Sequence, residues 1–128
     1  YSVGGIKETV GGKTYVFVDG GMADNIRPAL YQAQYEAAIL GDMNAIPDKE
    51  VTLAGKFCES GDVLIDKVKL ANPKVGDLVG ITTTGAYCYS MSSNYNRFAK
   101  PAVVFVKDGK SKVVVKRETL DDLIRNDL

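Results

Sequence analysis

The chain opens on an alternation of apolar and polar positions that predicts a β-hairpin. Residues 4–8 lead into a turn at Gly11-Gly12, and 13–19 return with β-branched and aromatic residues. Gly20-Gly21 ends that strand. Asp24 or Asn25 is placed to cap a short helical turn near 25–31, with Pro28 tolerated in its first turn. A short apolar run over 35–40, stopped by Gly41-Asp42, predicts a strand. A polar, proline-containing loop over 43–50 precedes 51–57, a strand that delivers Cys58 at its end. Two further strands follow over 62–70 and 78–82, parted by a turn at Asn72-Pro73. Residues 101–106 and 111–116 flank Asp108-Gly109 and predict a second hairpin. Thr119 caps a last helix over 120–125, with Asp121 and Asp122 in its favourable first turn.

Short strands punctuated by turns, with few helices, imply a mainly β fold: a compact β-barrel or sandwich. No repeat, linker or low-complexity tract divides it, so residues 1–128 read as a single domain. That length suffices for a real core. No apolar run is long enough to span a bilayer, and the start lacks the regions of a signal peptide, so no membrane partner or export is expected. Lys plus Arg equal Asp plus Glu at 16 each, which leaves no basic field to attract nucleic acid.

The absence of histidine excludes Ser-His-Asp and Cys-His machinery within this chain, together with most zinc sites, and no metal is expected. Cys58 and Cys88 lack C-x-x-C spacing and read as reduced thiols of a cytoplasmic protein. Chemistry therefore rests on Cys, carboxylates, Tyr and Arg.

The densest such cluster is Cys58-Glu59-Ser60-Gly61-Asp62, placed between strands where reactive groups are displayed. Taken alone, Cys58 after an apolar run reads as a buried structural thiol. Its acidic neighbours make that setting less apolar, and an adjacent carboxylate disfavours the thiolate, which suits a proton donor better than a nucleophile. Arg27 and Tyr31 lie four apart and share one face of a helical turn, where a planar guanidinium fork and a phenol suit a carboxylate. A surface Arg stacked on Tyr accounts for the same spacing. Tyr87 offers a phenol for a phosphate or carboxylate, or serves as core, and 92–97 is compatible with a plain solvated loop.

Three spaced segments together are more specific than any one. Residues 24–31 (DNIRPALY), 58–62 (CESGD) and Gly85-Ala86-Tyr87 with 90–96 (SMSSNYN) occur in this order, and with them the chain closely resembles the C-terminal domain of the diaminopimelate decarboxylases. These are pyridoxal-phosphate enzymes of lysine biosynthesis, and the resemblance covers nearly the whole chain. It implies an alanine-racemase-like architecture, in which an N-terminal cofactor-binding (β/α)8 barrel is joined by a C-terminal β-domain. It further implies a homodimer whose C-terminal domain completes the barrel site of the other subunit.

By the same resemblance, Cys58 is the expected proton donor, and Arg27 and Tyr31 hold the substrate carboxylate. Glu59 reads a substrate amino group, and Tyr87 touches both cofactor and substrate. Asp62 and Asn94 are expected to support loops. The family's barrel, with its Schiff-base lysine and glycine-rich phosphate-binding segments, is expected outside this chain, which is too short for a barrel of about 250 residues. The chain alone is therefore expected to be inactive. Two alternatives remain at this point. One is a related decarboxylase acting on ornithine, arginine or carboxynorspermidine, although Cys58-Glu59 with Arg27 favours a substrate bearing a second carboxylate. The other is a non-catalytic β-barrel binding module.

Overall fold

The computed structural model describes residues 1–128. Strand β1 (Val3–Glu8) pairs antiparallel with β2 (Thr14–Val18), as the opening alternation predicts. Thr14, Val16 and Val18 face inward, while Tyr15 and Phe17 point outward and stack at 6.0 Å between ring centroids. Helix α1 (Arg27–Tyr31) follows, then the short β3 (Ala37–Ile39). Strand β4 (Lys49–Ala54) lies parallel to β2 and antiparallel to β5 (Val63–Leu70), giving a four-stranded sheet of order β1-β2-β4-β5. Strand β6 (Val79–Ile81) pairs with β3 in a separate ladder. After helix α2 (Cys88–Met91) and a 3-10 turn (Tyr95–Arg97), β7 (Val103–Lys107) and β8 (Lys110–Val115) form a detached hairpin, and α3 (Leu120–Ile124) ends the chain.

Val3, Val16, Val18, Leu53, Leu64 and Leu70 are at most 3% exposed and form the heart of the core, between the four-stranded sheet and the β3–β6 ladder. The mainly β expectation holds, but the sheets are not closed into a barrel. The start of β1 and the start of β6 are joined by an isolated bridge just outside both strands, Ser2 to Leu78, flanked by backbone hydrogen bonds between Tyr1 and Val79 and from Val3 to Asp77, and no ladder joins β3 to β5.

Two local expectations are corrected. The residue at the N-cap of α1 is Ile26, and neither Asp24 nor Asn25 caps it by side chain. Asn25 instead accepts the Arg27 N–H at 3.3 Å, and Asp24 accepts the Gly21 N–H at 3.0 Å, so both serve the turn before the helix. The strand expected over 51–57 stops at Ala54, because the chain leaves the sheet through Gly55. Thr119 does cap α3, in a capping box closed by Asp122. No helix is long and apolar enough to cross a membrane.

Candidate functional site

The loop after β4 is built around a buried carboxylate. Asp62 is 4% exposed and accepts the Met22 N–H at 2.7 Å and the Phe57 N–H at 2.8 Å. A buried carboxylate needs such donors to be tolerated. Gly21 and Gly55 make room for it, since a Cβ at either position would collide with the Asp62 side chain. Phe57 is 1% exposed and packs edge-on against Phe98 at 5.1 Å, with Lys56 Nζ 4.3 Å from the Phe98 ring centre.

On this base Cys58 and Glu59 are presented outward. Cys58 is a free, exposed thiol whose backbone is held at φ 52°, a left-handed conformation that costs a non-glycine residue about 1 kcal/mol or more. Glu59 accepts the Ser60 hydroxyl at 3.1 Å and the Gly61 N–H at 3.2 Å. The Gly61 N–H, followed by the Ser60 hydroxyl, holds the Glu59 carboxyl below its usual range. Both residues border a cleft of about 340 Å³ whose floor is the outward face of β2, with Tyr15 and Phe17, and whose far wall includes Lys7.

A second group lies with α1. The Arg27 guanidinium carbon stands 5.3 Å from the centre of the Tyr87 ring. Tyr87 is 65% exposed and sits at φ 69°, so the two residues singled out for proton donation and cofactor contact both occupy strained backbone. Such strain concentrates at functional sites. Tyr31 closes α1 and is 63% exposed. The structure thus brings Cys58 beside Glu59, and Arg27 beside Tyr87. The two groups are connected by chain 21–26, whose Met22 is tied to Asp62. Pro28 and Ala29 of α1 also share a groove with Ser60 and Gly61.

Sequence reading singled out Asp62 and Asn94 as loop supports but missed Asn96 and Ser93, which bind these segments together. Asn96 donates from its carboxamide to the Phe57 carbonyl at 2.8 Å, and the Ser93 N–H donates to the Ala23 carbonyl at 3.0 Å. The one local sign was the Asn-rich run 93–96, since Asn tolerates left-handed backbone and Asn96 adopts φ 54°. Asn94 donates to the Phe98 carbonyl and to Glu118, which in turn accepts the Lys100 N–H at 2.8 Å.

The domain displays thiol, carboxylate, guanidinium and phenol on open ledges, with no enclosed chamber among them. Its class is shown by residues 1–85, which match the family described as "Pyridoxal-dependent decarboxylase, C-terminal sheet domain"; the chain belongs to that family. This stretch includes Arg27, Tyr31, Cys58 and Glu59 and ends two residues before Tyr87.

Within the family the likeness is specific. The chain is 56% identical over 128 residues to the diaminopimelate decarboxylase of Bacillus subtilis (strain 168), covering 100% of this chain and 29% of that protein. It is 53% identical over 128 residues to the diaminopimelate decarboxylase of Staphylococcus aureus (strain COL), covering 99% of this chain and 30% of that protein. A crystal structure of the M. jannaschii diaminopimelate decarboxylase in co-complex with L-lysine superposes with a TM-score of 0.90 at 36% identity, over 99% of this chain and 29% of that one. The chain therefore spans under a third of the length of the relatives it matches.

Proposed function

We propose that this chain is the C-terminal β-domain, residues 1–128, of a diaminopimelate decarboxylase that converts meso-2,6-diaminopimelate to L-lysine and carbon dioxide. An N-terminal (β/α)8 barrel elsewhere in the polypeptide holds pyridoxal 5′-phosphate, and the working form is a cytoplasmic homodimer in which this domain faces the barrel of the second subunit. The observation that carries the reading is one rigid loop bearing an exposed thiol and an ionised carboxylate, set against the segment that carries Arg27. The names of the relatives, at 53–56% identity over the chain, support diaminopimelate over ornithine, arginine or carboxynorspermidine as the substrate.

The residues present fit one flank of the cofactor and no more. Gly85 has nothing within 4 Å of where a Cβ would stand, and Tyr87 beside it is open, so this ledge accepts a group approaching from outside. Tyr87 would touch the cofactor and the substrate there. When bound, pyridoxal phosphate supplies the electron sink for the carbanion left by departing carbon dioxide.

The remaining work falls to this chain. Arg27 and Tyr31 hold the distal carboxylate of the substrate, the guanidinium through a planar fork. Glu59 pairs with the ammonium group at the same end. Its ionised form is secured by its own loop, so it is ready without a neighbouring cation. Cys58 delivers the proton to the carbon that has lost carbon dioxide, a role a thiol can fill without histidine. A site that bonds both polar groups of the substrate's far end strongly rejects analogues lacking one of them. The chain by itself is inactive on this reading.

The test uses the full-length protein loaded with pyridoxal phosphate and supplied with meso-diaminopimelate. Lysine and carbon dioxide should form in equal amounts. Cys58→Ala should leave the cofactor absorbance intact while lowering lysine formation by about 100-fold or more, the low end of what general acid catalysis contributes. Unchanged turnover would reject the proton-donor role.

A further inference from the structure

We infer that Asn96 is a positioning residue for the Cys58 thiol, acting through the peptide that joins Phe57 to Cys58. The inference rests on the reading of Cys58 as proton donor. Three chain segments meet at Phe57 in a closed set of hydrogen bonds. The Phe57 N–H is held by the Asp62 carboxylate, whose second oxygen holds the Met22 N–H. The Phe57 carbonyl is held by the Asn96 carboxamide at 2.8 Å. The third side is closed by the Ser93 N–H on the Ala23 carbonyl at 3.0 Å. The ring of Phe57 fills the centre, against Phe98 and against Tyr95 at 6.1 Å.

Each side of this triangle leads to one functional segment. Chain 21–25 runs on into Arg27, Phe57 is followed directly by Cys58 and Glu59, and 93–96 follow the helix that begins after Tyr87. The Phe57 carbonyl belongs to the same planar peptide unit as the Cys58 N–H, so fixing that oxygen fixes the plane from which the thiol departs. Cys58 then takes φ 52°, which a cysteine does not adopt without surrounding restraint. Asn96 suits its task twice over. Its own φ of 54° is one that asparagine tolerates, and its side chain supplies the only donor on the Phe57 carbonyl. Asp62 restrains the loop from the amide side, but the peptide next to the thiol is restrained from its carbonyl by Asn96.

The experiment uses the full-length protein. Asn96→Gly keeps the left-handed backbone without strain and deletes the donor. Asn96→Asp keeps the size and the backbone tolerance but turns the donor into an acceptor facing a carbonyl, and it serves should the glycine variant fold poorly. For either, amide hydrogen exchange over 57–61 should quicken by about tenfold or more while β4 stays protected. Turnover should fall by about 10- to 100-fold, the scale of a small misplacement of a catalytic group, with KM within about twofold. Added to Cys58→Ala, neither substitution should cost further activity, because both act through the same thiol.

Unchanged exchange over 57–61, or a full additional loss on the Cys58→Ala background, would overturn the inference. A rise in KM at unchanged kcat would do the same. Unchanged turnover in Cys58→Ala alone would instead overturn the proton-donor reading, and the exchange measurement would then decide by itself whether Asn96 holds the loop.

Discussion

Glu59 is an exposed carboxylate whose bonds all come from its own loop, and that has consequences for pH. The Gly61 N–H and the Ser60 hydroxyl bond its ionised form and lower its affinity for a proton below the ordinary 4.5. A carboxyl lowered in the folded state contributes stability that is complete above 4.5 and is lost as pH falls through its folded value. Glu59 should therefore add no pH dependence of its own to ammonium recognition between mildly acidic pH and the alkaline pH at which the substrate ammonium itself loses its proton. On the acid side, the Glu59 contribution to KM for diaminopimelate should be lost as pH drops below 4.5, a dependence read by comparing initial rates of wild type and Glu59→Gln across a pH series. Glu59→Gln removes the charge at nearly constant shape and should raise KM by roughly 10- to 100-fold, as losing a charged hydrogen bond of about 1.5–3 kcal/mol predicts, with kcat changed far less. Equal KM values for wild type and variant would reject the recognition role. Cys58 and Glu59 were legible because they follow an apolar strand and stand together. Asn96 was not, because its partner at Phe57 lies 39 residues away and no local pattern records such a bond.

Between β4 and β5 the chain must turn outward and still bury a carboxylate, and two glycines make that possible. A methyl group at Gly55 would strike Asp62, so Gly55→Ala should destabilise the loop by about 1–3 kcal/mol, the usual range for overpacking. Hydrogen exchange should show that loss at 55–62 before it shows in β4, and equal protection of wild type and variant would refute the steric account. At the other end of the chain, Thr119→Ala removes one arm of the α3 capping box and should cost about 1 kcal/mol, confined to 119–124 in the same measurement. Elements with their own periodicity or turn chemistry were readable: both hairpins, β5, and the capped α3. Helix α2, at Cys88–Met91, and the 3-10 turn, at Tyr95–Arg97, are too short to show a helical period, so the sequence offered no helix at 88–91 and only a solvated loop over 92–97. The parallel pairing of β2 with β4 and the failure of the sheets to close were equally hidden, since both depend on strands far apart in the chain.

Across the whole molecule, one part of the structure is left without cover. The β7–β8 hairpin pairs with no other strand, and Phe105 at 66%, Val106 at 73% and Val113 at 58% stand exposed beside the partly exposed Val104 and Val114. A two-stranded hairpin alone is marginal in water, and its register leaves apolar side chains bare on both faces, Val104, Val106 and Val113 on one and Phe105 on the other, which marks an interaction surface. The proposed role supplies the cover, in the barrel of the same or the second subunit. If that is what the hairpin meets, the two states of the protein should respond in opposite ways to polar substitution there. In residues 1–128 produced alone, the patch has only other copies of itself to meet, so sedimentation at tens of micromolar should give a mass above the monomer. Phe105→Ser with Val106→Ser should return that mass to the monomer, because the apolar surface driving association is gone. In the full-length protein the same pair should weaken assembly and, with it, decarboxylation, since Cys58 and Glu59 would no longer be pressed against the cofactor domain. A variant that leaves full-length assembly and lysine formation at wild-type values would separate the hairpin from the docking surface and assign its exposed face to some other contact.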